Sequence, residues 1–154
     1  MKTLAGLHEV ISELMRILVA LFLSTLATVA QSAPIEVLVT RVIDGDTLEI
    51  LIPKDTPGWN LHRVRLAGLN TPELSSRCPD LPSRGKEREL ARQAKSFVEN
   101  LVSGPITLER IGKDSFNRPL VEAWVNGVSL NATLLDNGIA LPYIEGTRGQ
   151  QWCR

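Results

Sequence analysis

The run Val64 to Glu73 (VRLAGLNTPE) places one arginine, one amide, one hydroxyl and one carboxylate close together. Arg65 offers paired donors that suit phosphoryl oxygens. Asn70, Thr71 and Glu73 offer oxygens that suit a hard divalent cation. The combination fits a cation and a phosphate held side by side. Taken alone, the run is also an ordinary polar turn after a strand. Val64 and Leu66 alternate against Arg65 as strand residues do. Gly68 loosens that strand, and Asn70-Thr71-Pro72-Glu73 turns out of it. Pro72 fixes its own φ and pushes Thr71 towards an extended backbone, so the oxygens sit on a stiff turn.

Two further stretches add weight: Val42 to Leu48 (VIDGDTL) and Asp114 to Arg118 (DSFNR). Asp44-Gly45 is a hairpin signal. Asp46 lies past that turn, at the start of a strand, where a carboxylate is unfavourable. In this order and spacing the three stretches resemble the staphylococcal nuclease (thermonuclease-like) family. Its pattern is a DGDT turn, a VRLxGIDTPE segment, a helix and a D-x-Y-G-R segment. The resemblance covers about Ile35 to Tyr143. It implies a small five-stranded OB-fold barrel, an α+β fold with helices packed on it. It also implies a calcium-dependent nuclease that hydrolyses DNA, RNA or both and leaves 3′-phosphate ends. Carried over by residue, Asp46, Asn70 and the Thr71 backbone carbonyl hold the cation. Arg65 and Arg118 grip the phosphate, and Glu73 orders or deprotonates the attacking water. Lys113 and Phe116 face the nucleic acid. Asp44 is read as a turn residue.

Three departures from the family pattern matter. The family has aspartate where this chain has Asn70, so a full negative charge is missing and weaker calcium binding follows. The chain is then a slower nuclease, one with another ion preference, or an OB module that binds nucleic acid or a protein partner without cutting. Asn117 replaces a glycine; asparagine tolerates left-handed backbone angles, so the turn can survive. Phe116 replaces a tyrosine. It keeps a face for a base to stack on, and serves equally well as a core residue. His62 has no nucleophile beside it, and Trp59 and Trp124 read as packing residues.

The chain has 154 residues, one domain's worth, with 17 basic and 17 acidic side chains. That balance excludes a basic wrapper of nucleic acid and leaves only a local arginine cluster for the task. Residues 1–33 read as a leader and 34–154 as the domain. Ile17 to Ala30 is apolar and uncharged, Arg16 precedes it, and Ala30, Ser32 and Ala33 are small. Cleavage after Ser32 puts small residues at both sensitive positions. Met15 is a possible true start. The apolar run falls short of the about 20 residues that a comfortable span needs, although an uncleaved anchor is the alternative. Export to the periplasm or the medium follows, with a monomer that has no stable membrane association once the leader is gone.

Cys78 and Cys153 both lie in the exported part, which suggests one disulfide. Ile35 to Ile43, Asp46 to Ile52, Leu61 to Ala67, Ile106 to Ile111 and Leu120 to Val125 read as strands. Asn70 to Arg84 reads as an irregular loop. Gly85 to Ser103 reads as a helix with a stripe of Leu90, Ala94, Phe97, Val98, Leu101 and Val102. Ser129 to Asn137 is a second, shorter helix. The tail from Ile139 shows no period.

Overall fold

The computed structural model describes residues 11–16, 33–52, 63–146 and 150–153. The chain divides into two compact units, Met1–Gln31 and Ser32–Arg154. In the first, residues 11–16 are helical. Most of the expected leader, Trp59 and His62 lie outside the described residues. Among the described residues, no helix is long and apolar enough to cross a membrane.

The second unit is a closed barrel. Its strands are β1 (Ile35–Val42), β2 (Thr47–Leu51), β3 (Arg63–Leu66), β5 (Pro105–Lys113) and β6 (Pro119–Val125), with short β4 (Leu69–Asn70) between β3 and β5. β1 pairs antiparallel with β2 and β5, β2 with β3, and β5 with β6. A parallel pairing of β3 with β6, Arg65 opposite Leu120, closes the ring. This is the five-stranded OB-like barrel that the resemblance implies. Alternation explains it: Pro119, Val121 and Ala123 of β6 point inward while Leu120, Glu122 and Trp124 do not. Leu48, Ile50, Val64, Leu66, Ile106 and Leu108 complete the inner layer.

Helix α1 (Leu81–Leu101) begins earlier than the sequence reading put it. Asp80 caps it by accepting the Ser83 N–H at 2.8 Å. Pro82 sits in the first turn, where its missing N–H costs nothing. The buried seam also differs: it runs through Glu87, Ala91, Ala94 and Val98, and Leu90, Phe97 and Leu101 are only half-buried. After β7 (Val128–Ser129), helix α2 (Leu130–Asp136) starts as expected, with the Ser129 hydroxyl taking the Ala132 N–H. Its buried Asn131 accepts from the Ala123 N–H and donates to the carbonyls of Ala67 and Val121. That amide fixes the chain where it leaves β3. The tail is more ordered than its sequence suggests. β8 (Leu141–Pro142) pairs with β4, and a 3₁₀ turn covers Gln150–Trp152.

The expected disulfide joins Cys78 to Cys153 over a separation of 75 residues. A loop of that length stabilises by about 4 kcal/mol in the chain-entropy treatment, often less in practice. A Cys153→Ser variant is therefore expected to unfold at a markedly lower urea concentration. Midpoints that match those of the oxidised parent would count against a folded-state bridge.

Glu109 and Glu122 stand directly opposite each other on β5 and β6. Burial first, then the Glu109 charge, pushes the Glu122 carboxyl above its ordinary range. Folding therefore favours the protonated acid, and that stability is lost as pH rises through the carboxylate range. Glu122→Gln is expected to flatten this slope and to add about 0.5 kcal/mol at neutral pH. Thermal melts of both proteins from about pH 4 to about pH 8 check it; parallel curves would refute it.

Candidate functional site

Strand register assembles the first part of the site. Thr47 of β2 pairs with Arg65 of β3, and the Leu66 N–H donates to the Asp46 carbonyl at 2.8 Å. The Arg65 guanidinium therefore lies against the Asp46 carboxylate, Nη1 to Oδ1 at 2.5 Å. Thr47 donates its hydroxyl to the same oxygen at 3.0 Å, and the Thr71 N–H reaches Oδ2 at 3.1 Å. Asp46 is 1% exposed, so these donors meet a charge that burial alone would make costly. They occupy three of its roughly four lone-pair positions.

Gly45 is required here for a reason other than its turn. A Cβ on it would stand 2.8 Å from Thr71 Cγ2 and 2.9 Å from Ala94 Cβ. The turn thus packs tightly under Thr71 and α1, which fixes Thr71 against Asp46. Asp44, read from the sequence as a turn residue, belongs to an acidic cluster. Burial first, and then the Asp46 charge, pushes its carboxyl up to about 7. Glu73 is likewise raised, first by burial and then by Asp46, with Arg65 pulling the other way.

Asn70 is 3% exposed and sits at the edge of this cluster. β4–β8 pairing sets it opposite Leu141, and its main-chain carbonyl accepts the Trp152 indole N–H at 3.3 Å. That bond ties Trp152 of the tail to the strand that carries Asn70. The Asn70 Nδ2 is buried and has no hydrogen-bond partner. An orphaned buried donor costs about 1–3 kcal/mol. A cation would take the amide oxygen of this side chain, and Nδ2 would still need an acceptor from the cleft. The remaining groups fit such an ion: Asp44, Asp46 and Glu73 supply only oxygen, the donor chemistry of a hard divalent cation.

Parallel β3–β6 pairing supplies the second arginine. Leu120 lies beside Arg65, so Arg118 reaches the same end of the barrel. Asp114 anchors it. One carboxylate oxygen accepts the N–H groups of Phe116 and Arg118, both at 2.9 Å; the other accepts Arg118 Nε at 2.7 Å. Burial opposes this ionisation, but the bonds from Arg118 hold the Asp114 carboxyl below its usual range. Asn117 adopts φ +63°, the left-handed turn expected of it. Phe116 is 75% exposed, which removes the core alternative. Its ring centroid lies 5.5 Å from the Arg118 guanidinium carbon.

One cleft of about 670 Å³ is lined by Arg65, Asn70, Glu73, Phe116 and Arg118, together with Arg77 and Tyr143. Asp46 and Thr71 stand behind Arg65 and Asn70. Lys113 is not part of the lining; it is exposed, and its ammonium donates to the Asn117 side-chain carbonyl at 2.8 Å. Sequence reasoning missed Arg77 and Tyr143. Arg77 was one cation in an apparently irregular loop. Tyr143 was one tyrosine in a tail without period, and its pairing context reveals it: its N–H donates to the Gly68 carbonyl.

The family model described as staphylococcal nuclease homologue matches residues 63–151. The chain belongs to this family. No curated protein matches it. Staphylococcal nuclease homologues are in general nucleases that cleave phosphodiesters of nucleic acid. The match begins at β3 and takes in Arg65, Asn70, Glu73 and Arg118. Asp44 and Asp46 precede it, so in this staphylococcal nuclease homologue their place rests on the β2–β3 pairing.

Proposed function

We propose that this chain is an exported, cation-dependent nuclease that hydrolyses single-stranded or frayed DNA or RNA and leaves 3′-phosphate ends. One observation carries the reading: Arg65, Arg118, Glu73 and Asn70 share one cleft, with Asp46 paired to Arg65 behind it. In that cleft the two guanidinium groups hold the phosphate through paired donors and meet the charge that builds on its oxygens during attack. Glu73, whose raised carboxyl is nearer the pH at which a base works well, takes or orients the proton of the attacking water. Asp46, Asn70 and the Thr71 carbonyl would hold a calcium-like ion, which supplies electrostatic stabilisation of the phosphoryl oxygens when bound. Phe116 offers a face for base stacking, and Lys113 adds positive charge near the turn. The small residues before Ala33, and the Cys78–Cys153 bridge, support export of a mature domain.

The test uses the mature, oxidised protein with single-stranded DNA and RNA, in calcium and in chelator. Cleavage that stops on chelation and leaves 3′-phosphates is the expected result. The neutral side chain of Asn70, where the family carries aspartate, favours a second reading, an OB module that binds nucleic acid without cutting it. Binding without cleavage across calcium, magnesium and manganese would replace the first reading by the second.

A further inference from the structure

Glu87 belongs neither to the cleft nor to an apolar core. It is fully buried, on a helix seam otherwise made of Ala91, Ala94 and Val98. An apolar residue there would pack without a desolvation cost, so the carboxyl needs a reason. Its Oε1 accepts the Glu73 main-chain N–H at 3.2 Å. Its Oε2 lies 3.1 Å from Cys78 Sγ. That sulfur is bonded to Cys153 and carries no hydrogen. A disulfide sulfur donates nothing, so the Glu73 N–H is the donor that holds this carboxyl.

The surroundings explain why Glu73 requires such a hold. The loop from Thr71 to Pro79 has no strand ladder of its own. Its first end is fixed by β4–β8 pairing and by the Thr71 bond to Asp46. Its far end is fixed by the disulfide and by Arg84 Nε on the Cys78 carbonyl. Glu73 lies between these anchors, and its side chain lines the cleft. A rigid helix reaches across to its backbone.

We infer that Glu87 is a positioning residue: its carboxyl fixes the main chain of Glu73, and the Cys78–Cys153 bridge confines that carboxyl from its other side. The consequence for rate rests on the nuclease reading above; the hydrogen bond does not. Glu87→Gln keeps an acceptor of the same reach. Glu87→Leu removes the acceptor, and Glu87→Asp keeps the charge but shortens the arm.

The experiment measures hydrogen exchange of the Glu73 amide by NMR, together with kcat and KM on single-stranded DNA. The expected pattern is a protected amide in the parent and in Glu87→Gln. Glu87→Leu and Glu87→Asp lose that protection. Their kcat falls roughly 10- to 100-fold with KM nearly unchanged, as expected when a reacting group is displaced by about 1 Å. Glu87→Gln retains kcat. Should Glu87→Leu fail to fold, Glu87→Asp decides alone. A residue that only supports the fold would lower the melting temperature and leave kcat per folded molecule alone; that result overturns the inference. So does an unprotected Glu73 amide in the parent. A parent that cuts nothing defeats the nuclease reading, while amide exchange in the same proteins still judges the hold on Glu73.

Discussion

Replacing Asn70 by aspartate is expected to tighten calcium binding on the order of 10- to 100-fold, about 1.4–2.7 kcal/mol, and to raise cleavage at subsaturating calcium in step. The site is otherwise assembled. Asp46 is held by three donors, Gly45 packs Thr71 into place, and Glu73 and both arginines share the cleft. What position 70 lacks is charge and a partner: its Nδ2 is buried and unpaired. Asn70→Asp removes that orphaned donor and adds an oxygen with a full negative charge. Without an ion the same change is harmful, because another carboxylate joins Asp44, Asp46 and Glu73, two of which are already raised by burial and mutual repulsion. The melting temperature in chelator should therefore fall, and in calcium it should rise above that of the parent. Isothermal titration and paired melts check both signs. Equal calcium affinity, with no change of melting in chelator, would place residue 70 away from any ion.

How the sequence carries this site differs from residue to residue. Strands announce themselves through local alternation, so β1, β2 and β6 are visible in their side chains. The parallel β3–β6 contact is not, because a pairing between distant segments leaves no local period; yet that contact is what brings Arg118 to Arg65. The family pattern supplied it. Asp44 was hidden by its own turn chemistry, since Asp-Gly is sufficient to explain a hairpin. The start of α1 was hidden because Asp80-Leu81-Pro82 contains a cap and a tolerated proline but sits among other loop residues. Glu87 was hidden by its charge. Binary patterning assigns glutamate to solvent, although its spacing to Ala91, Ala94 and Val98 matches the helix period. Asn117 was legible because one backbone requirement, a positive φ, selects few residue types.

Arg65→Ala and Arg118→Ala should both reduce cleavage by about 10²- to 10³-fold, the usual cost of losing a donor at developing charge, yet only the first should damage the fold. The Arg65 side chain is 14% exposed and its partner Asp46 1%. Truncation leaves a buried carboxylate without its counter-charge, a loss of about 3–5 kcal/mol. Arg118 and Asp114 are more open, at 26% and 12%, and Asp114 still accepts the main-chain N–H groups of residues 116 and 118 after truncation. That turn should survive with a loss of about 1 kcal/mol. Lysine separates charge from geometry. Arg118→Lys keeps the cation and forfeits the paired donors, so it should recover only part of the rate. Urea melts beside single-turnover cleavage test the contrast. Equal stability losses would mean that the Asp46 pair is no more buried in solution than the Asp114 pair. Cleavage that survives either truncation would leave that guanidinium without a part in the reaction. The asymmetry follows from where each arginine sits: Arg65 on a barrel strand, where one guanidinium must face both a buried acid and the cleft, and Arg118 on a turn that the backbone already holds.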